Sequence, residues 1–227
     1  MKDFTNKHIQ GYVRNYIDGD PSISLGIQRG LISSRILTKH ILQEKKEFKG
    51  NFETVRNAVR KYSDEASPQV DVKEVYMAFR NSFVDIRGNL VSVKISRKEG
   101  IKKILKIIDE LSIDNESFIR LMNNEVAFHL LIDNKKLDKL TKNFSEDKLT
   151  VRDGICAVTI HLDPAVKNTP GVYFILLGQI ALHKINVFDV STYGSEVSIY
   201  VDKADAAETH RILYELCEYQ KRFCSAA

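Results

Sequence analysis

The chain has 227 residues, of which 43% are hydrophobic and 28% charged, the balance of an ordinary globular protein. No apolar run approaches the roughly 18 to 20 residues of a membrane span, and the first ten residues lack the apolar core of a signal peptide. These observations argue against a membrane protein and predict a cytoplasmic location.

The formal net charge of +4 comes entirely from the N-terminal part of the chain. Residues 1–66 hold 12 Lys and Arg against 8 Asp and Glu, while the remainder is balanced. The three cysteines have an odd count and no CxxC spacing, so neither a disulfide framework nor a zinc site is expected.

Apolar residues recur at helical spacing through residues 1–66 and predict four short helices. The recurring positions are Ile9, Val13 and Ile17; Ile23, Ile27 and Leu31; Ile36, Leu37 and Ile41; and Phe52, Val55 and Val59. Pro21 suits a helix start, Gly30 a helix end, and Ser33 or Ser34 the N-cap of the third helix. Helix, glycine turn and helix form the outline of a helix-turn-helix or winged-helix-like module.

Two interpretations of this helical module remain open at the level of sequence. In the first, its third helix and the following lysines contact DNA, through Ser34, Arg35, Lys39, His40, Lys45, Lys46 and Lys49. In the second, the module is a small bundle that packs on a neighbour, and its lysines are merely solvated. An excess of four charges is small for a protein that must neutralise several phosphates.

The sequence SDEASP at residues 63–68 separates the helical module from a region that alternates strands and helices. We place this boundary between residues 64 and 72. Residues 81–152 then show strand, helix, two strands around Asn123-Asn124, helix and strand, the order βαββαβ of a ferredoxin-like unit.

Residues 153–227 repeat this order and predict a second unit. Its strands and helices are predicted over residues 154–162, 170–183, 185–192, 196–201 and 206–219. A fourth strand is missing from this list. Either Lys221–Cys224 forms a brief edge strand, or pairing between the two copies or between subunits completes the sheet.

Three motifs in the second unit carry a resemblance to a known family. They are Thr169-Pro-Gly-Val172, Ile185-Asn-Val187 and the hairpin Ser191-Thr-Tyr-Gly-Ser-Glu-Val-Ser-Ile199, in this order. Together they resemble an ACT domain, most closely the regulatory region of aspartokinases, over roughly residues 154–218. The fold class expected is therefore α+β, with tandem ACT-type ferredoxin-like units preceded by a small all-α domain.

The resemblance implies a site that binds an amino acid or a similar small metabolite where two ACT units meet, in a homodimer or higher homo-oligomer. Carried onto this sequence, the ligand-binding residues are Asn168, Thr169, Pro170, Gly171, Val172, Ile185, Asn186 and Val187. The residue types suit this use, because glycine allows close approach to the backbone and the N–H groups of a helix start favour a carboxylate.

The sequence also departs from the family's pattern. The loop at residues 163–171 is longer than usual, and His183-Lys184 replaces the small pair that usually ends the first helix. Lysine at such a helix end implies some conformational strain. The first unit has no Pro-Gly turn, so residues 97–100 form either a degenerate pocket or a different one.

No catalytic, cofactor or metal motif is present in the sequence. It contains no HExxH, no nucleophile motif and no glycine-rich phosphate loop. The leading hypothesis is a non-enzymatic regulatory protein that senses a small metabolite, with the helical module as its output. The alternatives are an interaction subunit that regulates an amino-acid biosynthetic enzyme, and a scaffold that no longer binds a ligand.

Overall fold

The structure is a computed structural model that describes residues 5–65, 72–112, 118–164 and 169–224, with side chains of the last helix described as far as Glu218. The chain divides into two compact units, Met1–Asp71 and Val72–Ala227. Each unit is considered by itself below. None of the described helices is long and apolar enough to cross a membrane.

Within residues 5–65, the first unit contains four α-helices, α1 (Asn6–Asp18), α2 (Pro21–Gln28), α3 (Ser34–Glu44) and α4 (Phe52–Glu65). Their ends follow local capping chemistry. Asp20 accepts a hydrogen bond from the Ser22 N–H at 2.8 Å, and Pro21 occupies the first position of α2. Gly30 ends α2 with φ +69°, where a side chain would be strained.

The core of the helical unit lies between α4 and the helices α1 and α3, both of which pack on it. The predicted helical spacing supplies most of this core, but Leu31 and Ile36 are 66% and 69% exposed. Its members are Ile9, Val13, Ile17, Ile27, Leu37, Ile41, Leu42, Phe48, Val55, Ala58 and Val59. The four helices predicted from the sequence are all present; the helix-turn-helix identity stays a prediction.

The second unit contains six strands and five helices in its described residues. In chain order they are α5 (Val72–Met77), β1 (Phe83–Ser96), α6 (Ile101–Leu111), β2 (Ile119–Asn123), β3 (Ala127–Asp133), α7 (Leu137–Thr141), β4 (Leu149–His161), α8 (Val172–Leu182), β5 (Val187–Tyr193), β6 (Glu196–Asp202) and α9 (Ala206–Cys224). The strands form one antiparallel sheet in the order β2-β3-β1-β4-β6-β5. This α+β architecture confirms the predicted fold class.

The two long strands, β1 and β4, are shared between two ferredoxin-like halves of this sheet. The first half uses Leu90–Ser96 of β1 and Leu149–Arg152 of β4, joined by β2 and β3. The second half uses the remainder of β4 with β5 and β6, and its fourth strand is Phe83–Arg87 at the start of β1.

The missing fourth strand of the second half is therefore supplied by pairing between the two copies. The alternative, an edge strand at Lys221–Cys224, is wrong, because these residues continue helix α9. The predicted strands at residues 149–152 and 154–162 are likewise one continuous strand, β4.

Register shifts in β1 and β4 mark the point where one half passes into the other. They fall between Arg87 and Leu90 and between Leu90 and Ser92 of β1. Asn89 has φ +60° and Gly154 has φ +70°, as expected where an extra residue is inserted into a ladder. Bulges of this kind bend and twist a sheet. Here they lie where the first ferredoxin-like half passes into the second.

The sheet has different partners on its two faces. Alternate residues of β1 and β3 pack against α6 and α7, including Val91, Val93 and Leu130. The other face carries a cluster that joins both halves without helix residues, composed of Leu90, Leu131, Ile155, Ala157 and Tyr200.

Within the described residues, the face that carries this cluster is concave. The Arg120 guanidinium on β2 donates a hydrogen bond to the Tyr200 hydroxyl on β6, four strands away in the sheet. Four strand spacings amount to about 19 Å in a flat sheet, more than these two side chains span. The halves must therefore bend toward each other at the bulges.

Candidate functional site

The predicted ligand turn lies at the start of α8. Gly171 is the N-cap residue, with φ +94° and ψ −10°, in the left-handed region that glycine adopts without a steric penalty. The Ile175 N–H donates to the Gly171 carbonyl at 3.1 Å, which begins the helix. No side chain caps this end among the described residues, so the first N–H groups of α8 are available to an anion.

The other predicted residues of the turn have a range of exposure. Thr169 is half-buried, Pro170 is exposed and Val172 is buried beneath the helix. Proline has no N–H, so Gly171 and Val172 hold the main-chain donors of this turn. Asn168 lies outside the described residues.

The second predicted part of the site lies where α8 ends and β5 begins. Lys184 has φ +60°, and its N–H donates to the Ala181 carbonyl at 2.9 Å. The Ile185 N–H reaches back to the Ile180 carbonyl at 3.3 Å, which completes a Schellman-type helix end. The left-handed lysine expected from the sequence is therefore present. Ile185 is buried, Asn186 exposed and Val187 half-buried.

These two parts of the site are separated by the length of α8. The helix has 11 residues, and at 1.5 Å of rise per residue its ends are about 16 Å apart. One chain therefore does not bring Gly171 and Asn186 into a single small-molecule pocket. A second copy would have to bring its own Asn186 close to Gly171.

Two exposed features of the second half are suited to such a copy. Strand β5 is at an edge of the sheet and pairs only with β6 among the described residues. Helix α8 has apolar residues on both faces: Val172, Leu176 and Ile180 are buried, whereas Tyr173, Phe174, Leu177 and Leu182 are 36% to 76% exposed. An apolar helix face of this kind is typical of an association surface.

The corresponding place in the first half is closed by its own side chains. Gly100 begins α6 with φ +78°, so the glycine is repeated, but Arg97 before it donates to Asn123 Oδ1 at 2.7 Å and to the Asn124 carbonyl. Glu99 forms an ion pair with Lys103, with 2.6 Å between Lys103 Nζ and Glu99 Oε2. The short loop of the first half thus binds the β2–β3 turn.

The residues predicted to contact DNA do not form one uniform surface. Arg35 and Lys39 are exposed on α3, and no ion pair of either is found in the described part of the chain. His40 lies 3.5 Å from Glu44, and Lys45 lies 3.2 Å from Glu47 and 5.7 Å above the Tyr12 ring.

The remaining predicted DNA contacts are less distinctive. Lys46 and Lys49 are exposed, while Ser34 is half-buried and its main-chain carbonyl accepts from the Thr38 hydroxyl at 2.7 Å. Behind this surface, burial and a hydrogen bond to Glu44 raise the pKa of Tyr16 to about 12.

Comparisons with known proteins give structural similarities only. No family model matches the chain, and no curated protein matches it by sequence. The aspartate kinase of Clostridium acetobutylicum is similar at 14% identity and a TM-score of 0.49, over 59% of this chain and 34% of that one. This chain thus spans about a third of that kinase.

Two smaller proteins are similar over nearly their whole length. The ligand-free regulatory subunit of aspartate kinase from Thermus thermophilus is 11% identical with a TM-score of 0.48, over 59% of this chain and 95% of that one. A Vibrio cholerae protein of unknown function, described as a possible transport protein, is 11% identical with a TM-score of 0.47, over 64% and 98%. Similarity at this level does not establish a function, which has to be argued from the site.

Proposed function

We propose that this protein is a non-catalytic regulator that binds an amino acid, or a closely related metabolite, between two copies of the chain. The observation that carries the proposal is the uncapped start of α8 at Gly171. Two further observations support the proposal. The outer edge of β5 has no partner strand in the described residues, and the same helix α8 has an exposed apolar face. The site's two parts are too far apart within one chain to act together, so the second copy is part of the proposal.

The chemistry of the turn suits an α-amino acid. Its carboxylate would accept hydrogen bonds from the main-chain N–H groups of Gly171 and Val172, where the helix dipole favours negative charge. The exposed Asn186 of the other copy has a side-chain carbonyl that accepts from an ammonium group. A ligand held in this way contacts both copies at once.

Binding of this kind changes the population of assembled states. A ligand that contacts both copies binds the dimer more tightly than the monomer, and it must therefore stabilise the dimer. The helical unit would carry the output, either by docking on an enzyme or by contacting DNA. Neither output is needed for the metabolite to bind.

A screen of the twenty amino acids tests the proposal. We expect at least one of them, at millimolar concentration, to raise the melting temperature and to shift the sedimentation coefficient toward the dimer. Asn186→Ala should raise the dissociation constant of this amino acid about tenfold, which is the loss expected for one charge-assisted hydrogen bond. Asn57→Ala, an exposed asparagine on α4, serves as the matched control. Absence of any stabilising amino acid would contradict the proposal and favour a scaffold that does not bind a ligand.

A second candidate function, DNA binding by α3, is favoured by the exposure of Arg35 and Lys39 one helical turn apart. If α3 contacts DNA, the double variant Arg35→Ala/Lys39→Ala should abolish a salt-sensitive mobility shift. The variant Arg60→Ala/Lys61→Ala removes the same charge from an exposed part of α4 and should change the shift much less. Equal losses from both variants would indicate non-specific attraction.

A further inference from the structure

A cleft of about 280 Å³ opens between α5, α8 and α9 of the second unit. It is lined by Tyr76, Gln179, His183, Ile212, Glu215 and Leu216. None of the residues proposed above to bind an amino acid lines it. The cleft lies at the last turn of α8, whereas Gly171 begins that helix.

The floor of the cleft is apolar and belongs to the core. Ile212 and Leu216, one turn apart on α9, are only 4% and 7% exposed. The half-buried Tyr76 of α5 adds an aromatic ring. An apolar concave floor with a few polar groups at its rim is the usual form of a small-molecule site, and this volume suits a small ligand.

The polar groups of the rim are mainly hydrogen-bond acceptors. His183 Nδ1 donates to the Gln179 main-chain carbonyl at 2.8 Å, since the carbonyl oxygen has no proton to give. This leaves Nε2, which is an acceptor in the neutral ring. The side-chain amide of Gln179 adds a further acceptor and two donors.

The charge at the rim is negative. Glu215 is the one acidic or basic residue, apart from histidine, among the six described residues that line the cleft. Its Oε1 accepts from Arg211 Nη1 at 2.6 Å, which leaves Oε2 for another donor. Arg211 does not neutralise it fully, because the same guanidinium also binds Glu208 at 2.5 Å and 2.8 Å.

We propose that this cleft is a second binding site, which takes a small primary amine with an apolar body. The apolar part would lie on Ile212 and Leu216 against the Tyr76 ring, and the ammonium would donate to Glu215. Because α5 directly follows residues 66–71, which connect the two units in sequence, a ligand that contacts Tyr76 also holds the first element after that connection.

Titration of the full chain with benzylamine tests the proposal, with benzoate as the ligand of the same shape and opposite charge. We expect benzylamine to bind with a millimolar dissociation constant by calorimetry, and benzoate to leave hydrogen exchange of the α5 amides unchanged, which shows that it does not bind in the cleft. Bound benzylamine should slow hydrogen exchange of the α5 amides, which a ligand at Gly171 has no reason to do.

Two matched variants show whether the charge acts within the cleft. Glu215→Gln should weaken benzylamine binding about threefold to fivefold, since it removes the charged acceptor of an exposed ion pair. Glu208→Gln lies outside the cleft and leaves Arg211 to Glu215 alone, so it should weaken binding by less than Glu215→Gln does. Equal binding of benzoate in the cleft, equal losses in both variants or no binding of benzylamine would each overturn the proposal. Asn186→Ala, which tests the amino-acid site, should leave benzylamine binding unchanged.

Discussion

The two ferredoxin-like halves of the second unit have the same strand order but differ in what their first helices expose. Helix α6 has Lys102, Lys103 and Lys106 on its outer side, and all three are exposed. Seventy-one residues later, the same offset that relates Glu125 to Glu196, helix α8 has Tyr173, Phe174 and Leu177. The outer side of α6 thus carries charge beside the exposed Ile101 and Leu105, whereas the matching three positions of α8 are apolar, which is typical of a protein contact surface.

The loops before the two helices also differ. Both helices begin at a glycine with positive φ and without a side-chain cap, but Arg97 ties the loop before α6 to Asn123. The second helices also differ, since α7 has 5 residues and α9 has 19. The difference teaches that a repeat can keep a strand order while its copies diverge in loop contacts, helix length and exposed surface.

The largest predicted effect tests whether the two halves unfold as one cooperative unit. Ile104 on α6 and Ile180 on α8 are both fully buried. Replacing either by alanine should cost about 2–5 kcal/mol, from lost burial and the remaining cavity. Because β1 and β4 are shared, both variants should lower the same denaturant transition. Two separate transitions, each moved by only one variant, would show that the halves unfold independently.

A second experiment makes the outer side of α8 resemble that of α6. The double variant Tyr173→Lys/Phe174→Lys should weaken self-association by at least about tenfold, because it places charge on the proposed interface. Sedimentation velocity over a range of concentrations measures this change. The matched variant Lys102→Glu/Lys103→Glu alters α6 in the same positions and should leave self-association unchanged. If both double variants weakened self-association to the same extent, the outer sides of α6 and α8 would not differ in their role in association.

The smallest predicted effect concerns the helix ends. Lys184 is left-handed one residue beyond the C-cap of α8, whereas the C-cap residues of both helices, His183 and Ser112, have φ −89° and −86°. Lys184→Gly should raise the free energy of unfolding by up to about 1 kcal/mol, because glycine removes the strain. Ser112→Gly should lower it by a few tenths of a kcal/mol or more, since flexibility is gained and no strain is removed. Chemical denaturation of both variants measures the difference, and a stabilising Ser112→Gly would contradict this reasoning.

Local patterns in the sequence predicted most of the elements but not how strands are shared. The spacing of Ile9, Val13 and Ile17 and the repeated βαββαβ order correspond to helices and strands that are present. The boundary predicted between residues 152 and 153 falls inside β4, which continues through Gly154. The pairing of Phe83–Arg87 with the second half depends on a distant partner, which no local periodicity encodes.

The candidate site shows the same limit. Motifs identified Thr169–Val172 and Ile185–Val187, but only the length of α8 shows that one chain cannot join them. The α5 helix was not predicted, because residues 72–77 are too few for a periodic signal, and the cleft beside it was therefore missed. The second helix predicted within residues 81–152 is short, because it is α-helical only over Leu137–Thr141.

The sharing of β1 also has a consequence for how the protein is made. Ile86 pairs with Val158, about 70 residues later in the chain. At a synthesis rate of about 5–20 residues per second, Phe83–Arg87 waits several seconds for its partner strand. During this time Phe83 and Ile86 are open to wrong pairing, and Asp85 and Arg87 place charges that discourage it. Phe83–Arg87 is synthesised before the rest of the first half, yet it completes the second half. The sheet therefore cannot finish folding until the second half has been translated.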